Sequence, residues 1–231
     1  MNAQNVIIAD RHCTLVTAEV QKESCPTILC CMHEGLGTDE GRLEDAKAVA
    51  SLMTEMTQKP FNLLCFDVSS WNRFLSPWPY ENFTGEAGDT LSWISEQGIP
   101  YLSSIGLTGK TLIAGYSLAG LFALWAARST DLFEGCASCS GSLWYPHWAE
   151  FSKSHPLKQN NIVYLSLGGK ESKTSHPVIS TIEVCTKEEF ARIQRDPRVK
   201  KSTFEMNAGG HFTKTLWRLA KGMAWLVNGL G

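Results

Sequence analysis

The stretch Thr111-Leu112-Ile113-Ala114-Gly115-Tyr116-Ser117-Leu118-Ala119-Gly120-Leu121-Phe122-Ala123-Leu124 decides the fold. Its first five residues are a short apolar run of the kind a strand shows when both of its faces are covered. From Leu118 to Ala127 the chain is apolar again, and long enough there for a buried helix. Gly115-Tyr116-Ser117 joins the two through a sharp turn, where small neighbours let backbones approach and the serine projects from the C-terminal edge of a sheet. This is the form of a nucleophile elbow, with Ala119 in the last glycine position of Gly-x-Ser-x-Gly and Gly120 one residue later. The plainer reading is a serine that caps the helix after it.

Outward from the elbow the same unit repeats. Upstream, Thr27 to Met32 is a buried strand leading into a helical pattern of Leu43, Ala46, Val49, Leu52, Met53 and Met56. Phe61 to Phe66 is a second strand, followed by an aromatic loop from Trp71 to Tyr80 and a helical pattern from about Ala87 to Ile105, interrupted near Gly98-Ile99-Pro100. Downstream, Cys136 to Ser140, Ile162 to Leu167 and Ser202 to Met206 read as three more strands, and a closing helix sets Phe212, Leu216, Leu219, Met223, Leu226 and Leu230 on one face. Near the start, Val6-Ile7-Ile8 and Thr14 to Val20 are close enough to pair antiparallel. Alternating strands and helices require right-handed crossovers, so the expected fold is α/β, a mainly parallel sheet with helices on both faces and an antiparallel N-terminal strand pair. One domain over residues 1–231 is expected, because no stretch reads as a linker.

Composition removes other classes. Lys and Arg total 21 against 23 Asp and Glu, a net charge of -2, so nothing is in excess to neutralise a phosphate backbone or an anionic membrane. The N-terminus has no basic start and only a four-residue apolar stretch, Val6 to Ala9, which does not fit a secretory signal, and a cytoplasmic protein is expected. The run from Leu118 to Ala127 is about half of what a membrane-spanning helix needs. Most of the eight cysteines lie in apolar runs, as buried thiols do, and the lone Cys136-x-x-Cys139 has no second pair to make a zinc site. No metal and no cofactor are expected.

A serine hydroxyl needs a base, and in this topology the base belongs on the loop after the last strand. His211 stands there, in Asn207-Ala208-Gly209-Gly210-His211-Phe212, with two glycines that let the loop fold back to the elbow. A carboxylate on the loop after the preceding strand should orient the ring, and Leu167-Gly168-Gly169-Lys170-Glu171 offers Glu171; beside Lys170 and Lys173 it also suits a solvated surface group, which would leave a Ser–His dyad. Oxyanion donors are expected from the amide of Leu118 and from the loop His33-Glu34-Gly35-Leu36-Gly37. Rings at Trp71, Trp78, Trp144 and Tyr145, with Arg73 among them, are the candidate substrate contacts, each ring having ordinary packing as its alternative.

Taken together, Gly115 to Leu124, Ser140-Gly141-Ser142-Leu143-Trp144-Tyr145, Leu167 to Thr174 and Gly209-Gly210-His211-Phe212 resemble the esterase D-like branch of the α/β-hydrolases, which includes enterochelin esterases, feruloyl esterases and S-formylglutathione hydrolases. The resemblance runs from the first core strand onward with its four blocks in family order. It implies Ser117 as nucleophile, His211 as base and Glu171 as acid. Departures are Ala119 at the elbow and Gly169 where many relatives carry an aspartate.

The resulting expectation is a serine esterase acting on a small-molecule ester, its activity rising with pH as the base loses its proton and insensitive to a chelator. Only Trp144 to Asn160 separate the fourth and fifth core strands, so no large cap domain and an open, shallow site are expected. The same nucleophile would serve an acyltransferase, thioesterase or peptidase, and the scaffold alone would also suit a non-catalytic binding protein.

Overall fold

The computed structural model describes residues 1–20, 23–35, 37–157 and 161–230. Eight strands form one sheet in the order β1-β2-β4-β3-β5-β6-β7-β8. They are β1 (Asn2–Ile8), β2 (Arg11–Thr17), β3 (Thr27–Glu34), β4 (Asn62–Val68), β5 (Thr111–Tyr116), β6 (Gly135–Cys139), β7 (Asn161–Gly168) and β8 (Val199–Asn207). β1 and β2 pair antiparallel, β2 runs antiparallel to β4, and every pairing from β4 to β8 is parallel.

The apolar strands serve two cores at once, because successive side chains point to opposite faces. Ile28, Cys30, Leu63, Cys65, Leu112, Ala114, Ile162 and Tyr164 pack with Val49 and Met53 of helix α1 (Asp39–Met56) and Leu219, Met223 and Leu226 of helix α8 (Thr215–Gly229). Their alternates, Leu29, Cys31, Leu64, Phe66, Ile113, Val163 and Leu165, pack on the other face with the short helices α2 (Trp71–Phe74), α3 (Ala87–Trp93) and α4 (Ile99–Ser104), with α5 (Leu118–Ser129), α6 (Trp148–Ser154) and α7 (Ile182–Arg195). Cys136 and Cys139 fall into different cores, so the Cys-x-x-Cys cannot converge on one site.

Several elements differ from the sequence expectation for physical reasons. The helical pattern from Ala87 is not broken by Pro100; a π-helical turn, Ile94–Gly98, absorbs it between α3 and α4. Phe212 lies before α8 and is 90% exposed, so it is not on the buried helix face. Helix α7 has no clean apolar stripe because Glu189, fully buried, takes a core position to pair with Arg128 at 2.6 Å. Between β6 and β7, α6 and its loops stand where a cap domain would be inserted; Asn160, the end of that stretch, is outside the described residues.

The chain leaves β3 toward β4 on one side and returns to β5 on the other. Loops after β3 and β5 therefore diverge at the C-terminal edge, the place where open α/β sheets form a crevice. No helix among the described residues is long and apolar enough to cross a membrane.

Candidate active site

Ser117 sits in that crevice with φ 58° and ψ −122°, a backbone conformation costly for any residue with a side chain, by roughly 1–3 kcal/mol. Its surroundings over-determine it. Ser117 N–H donates to Cys139 O at 3.0 Å, and Ser117 O accepts from the amides of Gly120, Leu121 and Ser142 at 3.0, 3.1 and 3.1 Å. Gly115 is obligatory here, since a Cβ on it would lie 2.1 Å from the Ala119 carbonyl oxygen. Ala119 itself is buried without displacing the turn.

His211 follows Gly209, whose φ of 92° turns the chain after β8 back toward the elbow. The ring lies between two partners: Nε2 is 3.0 Å from Ser117 Oγ, and Nδ1 is 2.8 Å from Glu171 Oε2. Glu171 is buried, and its other oxygen, Oε1, accepts from Gly168 N–H at 2.6 Å, Ser140 Oγ at 2.6 Å and Arg218 Nη2 at 3.1 Å. Burial pushes the Glu171 carboxyl up, but the hydrogen bonds from His211, Ser140 and the Gly168 amide outweigh it and hold the group below the usual carboxylate range. The acid is thus ionised, with one oxygen saturated and the other left for the imidazole. Such a line can carry a proton off the serine hydroxyl.

The expected oxyanion donors are placed unevenly. Leu118 opens α5, and its amide is one of the first helical N–H groups, which have no acceptor within the helix. On the β3 side, Gly35 N–H is taken by Val68 O at 2.8 Å, which removes it as a donor. His33 turns its ring to Asp67 and Asp45, at 3.2 and 2.9 Å, and Glu34 Oε1 accepts from Trp71 N–H at 2.7 Å. Both side chains secure the loop. Leu36 is outside the described residues.

Two cavities meet at Ser117 and His211. One of about 400 Å³ is lined by Ser142, Trp144, Lys170, Thr174, Ile179 and Ile182; the other, about 250 Å³, by Cys31, Met32, Trp71, Thr215, Leu216 and Leu219. Phe212 borders both. Trp144 and Trp71 are therefore at the serine, while three other candidate contacts are not. Tyr145 is 2% exposed and donates its hydroxyl to Trp78 O at 2.7 Å, and Trp78 Nε1 donates to Pro146 O at 2.9 Å. These rings are spent on packing the aromatic loop against the segment after β6. Arg73 pairs with Glu86 at 2.7 Å and lies over Phe74.

Three residues beside Ser117, His211 and Glu171 were not singled out in the sequence: Tyr116, Ser140 and Arg218. Ser140 could have been suspected from its place in the Ser140 to Tyr145 block, but an arginine in a helix reads as solvent-facing, and Tyr116 as the variable residue of the elbow.

A family model described as "Putative esterase" matches residues 85–220, more than half of the chain and the part holding Ser117, Glu171 and His211. No curated protein sequence matches. Among solved structures, the siderophore hydrolase EstB from Aspergillus nidulans is similar at a TM-score of 0.75 and 15% identity, over 100% of this chain and 96% of its own. An IroE-like serine hydrolase from Shewanella oneidensis gives 0.77 and 16%, over 98% and 80%, and the BES protein from Bacillus cereus 0.73 and 17%, over 98% and 94%. At these identities the structures speak for the shared α/β-hydrolase fold. The family match goes further: the chain belongs to the esterase family, and is a carboxylic ester hydrolase.

Proposed function

We propose that the protein is a serine esterase working through an acyl-enzyme. The observation that carries this is the unbroken line from Ser117 Oγ through the His211 ring to Glu171 Oε2, at 3.0 and 2.8 Å, mounted on a strained elbow. In the first half-reaction a bond forms between Ser117 Oγ and the ester carbonyl carbon while the hydroxyl proton passes to His211 Nε2. The carbonyl oxygen becomes an oxyanion, with the Leu118 amide and the positive end of α5 as its stabilising partners. As the carbon–oxygen bond to the alcohol breaks, the imidazolium returns the proton to it. Water then repeats the sequence on the acyl-enzyme and restores Ser117. Glu171, ionised throughout, keeps the proton on Nδ1 and compensates the imidazolium.

The substrate in this reading is a small-molecule ester lying across the seam between the two cavities, against Trp71, Trp144 and Phe212, with no cofactor and no macromolecular partner. A cytoplasmic location belongs to the same proposal and is supported by the cysteines: seven of eight are buried, and burial pushes the thiols of Cys13, Cys136 and Cys139 up to about 12.

Labelling with a fluorophosphonate, located by peptide mass spectrometry, tests the proposal. Labelling is expected at Ser117 in the wild type and in neither Ser117→Ala nor His211→Ala, with turnover of 4-nitrophenyl acetate falling by about 10⁴-fold or more in both. A folded wild type that neither labels nor turns over would remove the esterase mechanism.

A further inference from the structure

Arg218 on α8 is 1% exposed, and the acyl-transfer scheme gives it no part. Its guanidinium is engaged behind the triad. Nη2 donates to Glu171 Oε1 at 3.1 Å and to Ser140 Oγ; Nη1 donates to Tyr116 OH at 2.6 Å and to Gly210 O at 3.4 Å. Both hydroxyls pass the contact on. Ser140 Oγ donates to Glu171 Oε1 at 2.6 Å, and Tyr116 OH donates to the backbone carbonyl of His211 at 2.6 Å. Tyr116 is pushed up to about 12 by burial, so it remains a donor over the working range. One arginine thereby holds the acid through one hydroxyl and the loop of the base through the other.

We propose that Arg218 is a positioning residue of this esterase that also balances the buried charge of Glu171, so that the carboxylate orients the His211 ring without drawing a proton onto the pair. The inference rests on Ser117 being the nucleophile activated by His211. An isolated buried carboxylate is costly and draws a proton to itself or to the group bonded to it. With Arg218 present, the carboxylate already has a cation before the reaction begins. When Ser117 attacks, one positive charge appears on His211 and one negative charge on the oxyanion, so the site is balanced before and during the step. Without Arg218, the His211–Glu171 pair would take up a proton at higher pH, and the pair would enter the reaction with its base occupied.

Around His211, Tyr116 comes from β5 and Ser117 from the elbow, Glu171 and Lys170 from the loop after β7, and Arg218 from α8, bonded to the Gly210 carbonyl just before the ring. Lys170 is an exposed cation, screened by water, and it stays in place in every variant below.

The test is the pH dependence of fluorophosphonate labelling and of kcat/KM for 4-nitrophenyl acetate. Arg218→Met should move the acid limb up by about one pH unit or more, about a tenfold loss on the acid side that recovers at high pH. Arg218→Lys, which keeps the charge and loses the fork, should lower the rate with the limb in place. Glu171→Gln should move the limb the opposite way, since Arg218 then opposes the imidazolium alone, and adding Arg218→Met to it should bring the limb back up. A limb that stays put in Arg218→Met, whatever the loss of rate, overturns the proposal and leaves the esterase reading intact. Should Arg218→Met not fold, equal limbs in Glu171→Gln and the double variant overturn it in the same way. A wild type that does not label at Ser117 overturns both.

Discussion

The molecule contains two histidines wired almost alike, and only one of them has a ring nitrogen facing a hydroxyl. His211 has Glu171 on Nδ1, and Glu171 has Arg218 on its far oxygen. His33 has Asp67 on Nδ1 at 3.2 Å, and Asp67 has Arg42 on its far oxygen. The wiring parts at Nε2, which in His211 meets the Ser117 hydroxyl at 3.0 Å and in His33 meets Asp45 Oδ2 at 2.9 Å. A hydroxyl can donate to Nε2, so His211 keeps a lone pair directed at the nucleophile. A carboxylate can only accept, so His33 must carry a proton on that nitrogen, and its bond to Asp67, with the bond to Asp45, raises its pKa despite opposing burial. A histidine–acid–arginine chain is therefore a scaffold device by default. It becomes catalytic where the last position faces a hydroxyl on a strained turn.

Glu171→Gln should break the comparison most severely short of removing the serine or histidine. An amide in place of the carboxylate can donate to Nδ1, which favours the tautomer with Nε2 protonated and turned against the hydroxyl. A fall in kcat of up to about 10⁴-fold is expected, with KM for 4-nitrophenyl acetate little changed. Steady-state kinetics beside a circular dichroism melt separates this from unfolding. A loss near twofold would mean that a Ser–His dyad suffices.

How much of this was readable before the structure depended on whether a residue's task was expressed as a local pattern. The buried strands and the elbow announced themselves as short apolar runs around Gly115 to Gly120, and the glycines before His211 marked a loop able to turn back. The charge behind the triad announced nothing. Arg218 stands next to Leu219 on a helix whose buried face is wider than its apolar stripe, and burial of an arginine follows only from partners that arrive from β5, the turn after β6 and the loop after β7. The same holds for Glu189 in α7, whose partner Arg128 lies on α5. Aromatic rings were ambiguous for another reason: the chemistry that lines a pocket also packs a loop. Trp71 and Trp144 went to the serine's cavities, while Trp78 and Tyr145 went to each other.

His33→Gln sharpens the comparison from the scaffold side. Because the folded pKa of His33 is raised, the folded state binds the extra proton more readily than the unfolded chain. The stabilisation is fully present below about pH 6.5, the value expected of an unfolded histidine, and is lost as pH rises through the raised folded value. The variant should be less stable than wild type by roughly 1–3 kcal/mol on the acid side, with the gap closing on the alkaline side. Urea melts at a series of pH values check the sign. Asp67 contributes oppositely: burial raises its carboxyl, but the bonds from His33 and Arg42 win and hold it low, so its share is present above about pH 3.9 and lost as pH falls through the lowered value. The rate should suffer far less than in Glu171→Gln, since His33 touches no reacting atom.

The smallest effect should come from Asp45→Asn, the substitution that makes the two histidines most alike. Asp45 is about half exposed, so water already screens its pair with His33, and the cost in stability should stay within about 1 kcal/mol. The side-chain amide would still offer Nε2 an acceptor, but without charge, leaving Asp67 as the only anion on the ring. The titration of His33, followed through its ring proton by NMR, should then move down, while the turnover of 4-nitrophenyl acetate stays where it was. Freed of its second carboxylate, His33 would have the acid and the arginine of a catalytic histidine and still nothing to activate, because Ser117 stands on β5's turn and the substituted side chain opposite Nε2 on α1 carries no hydroxyl. An unchanged rate with a lowered His33 titration would locate catalytic character in the elbow, and a change in rate would show that the charge on His33 reaches the reacting serine through the loop after β3.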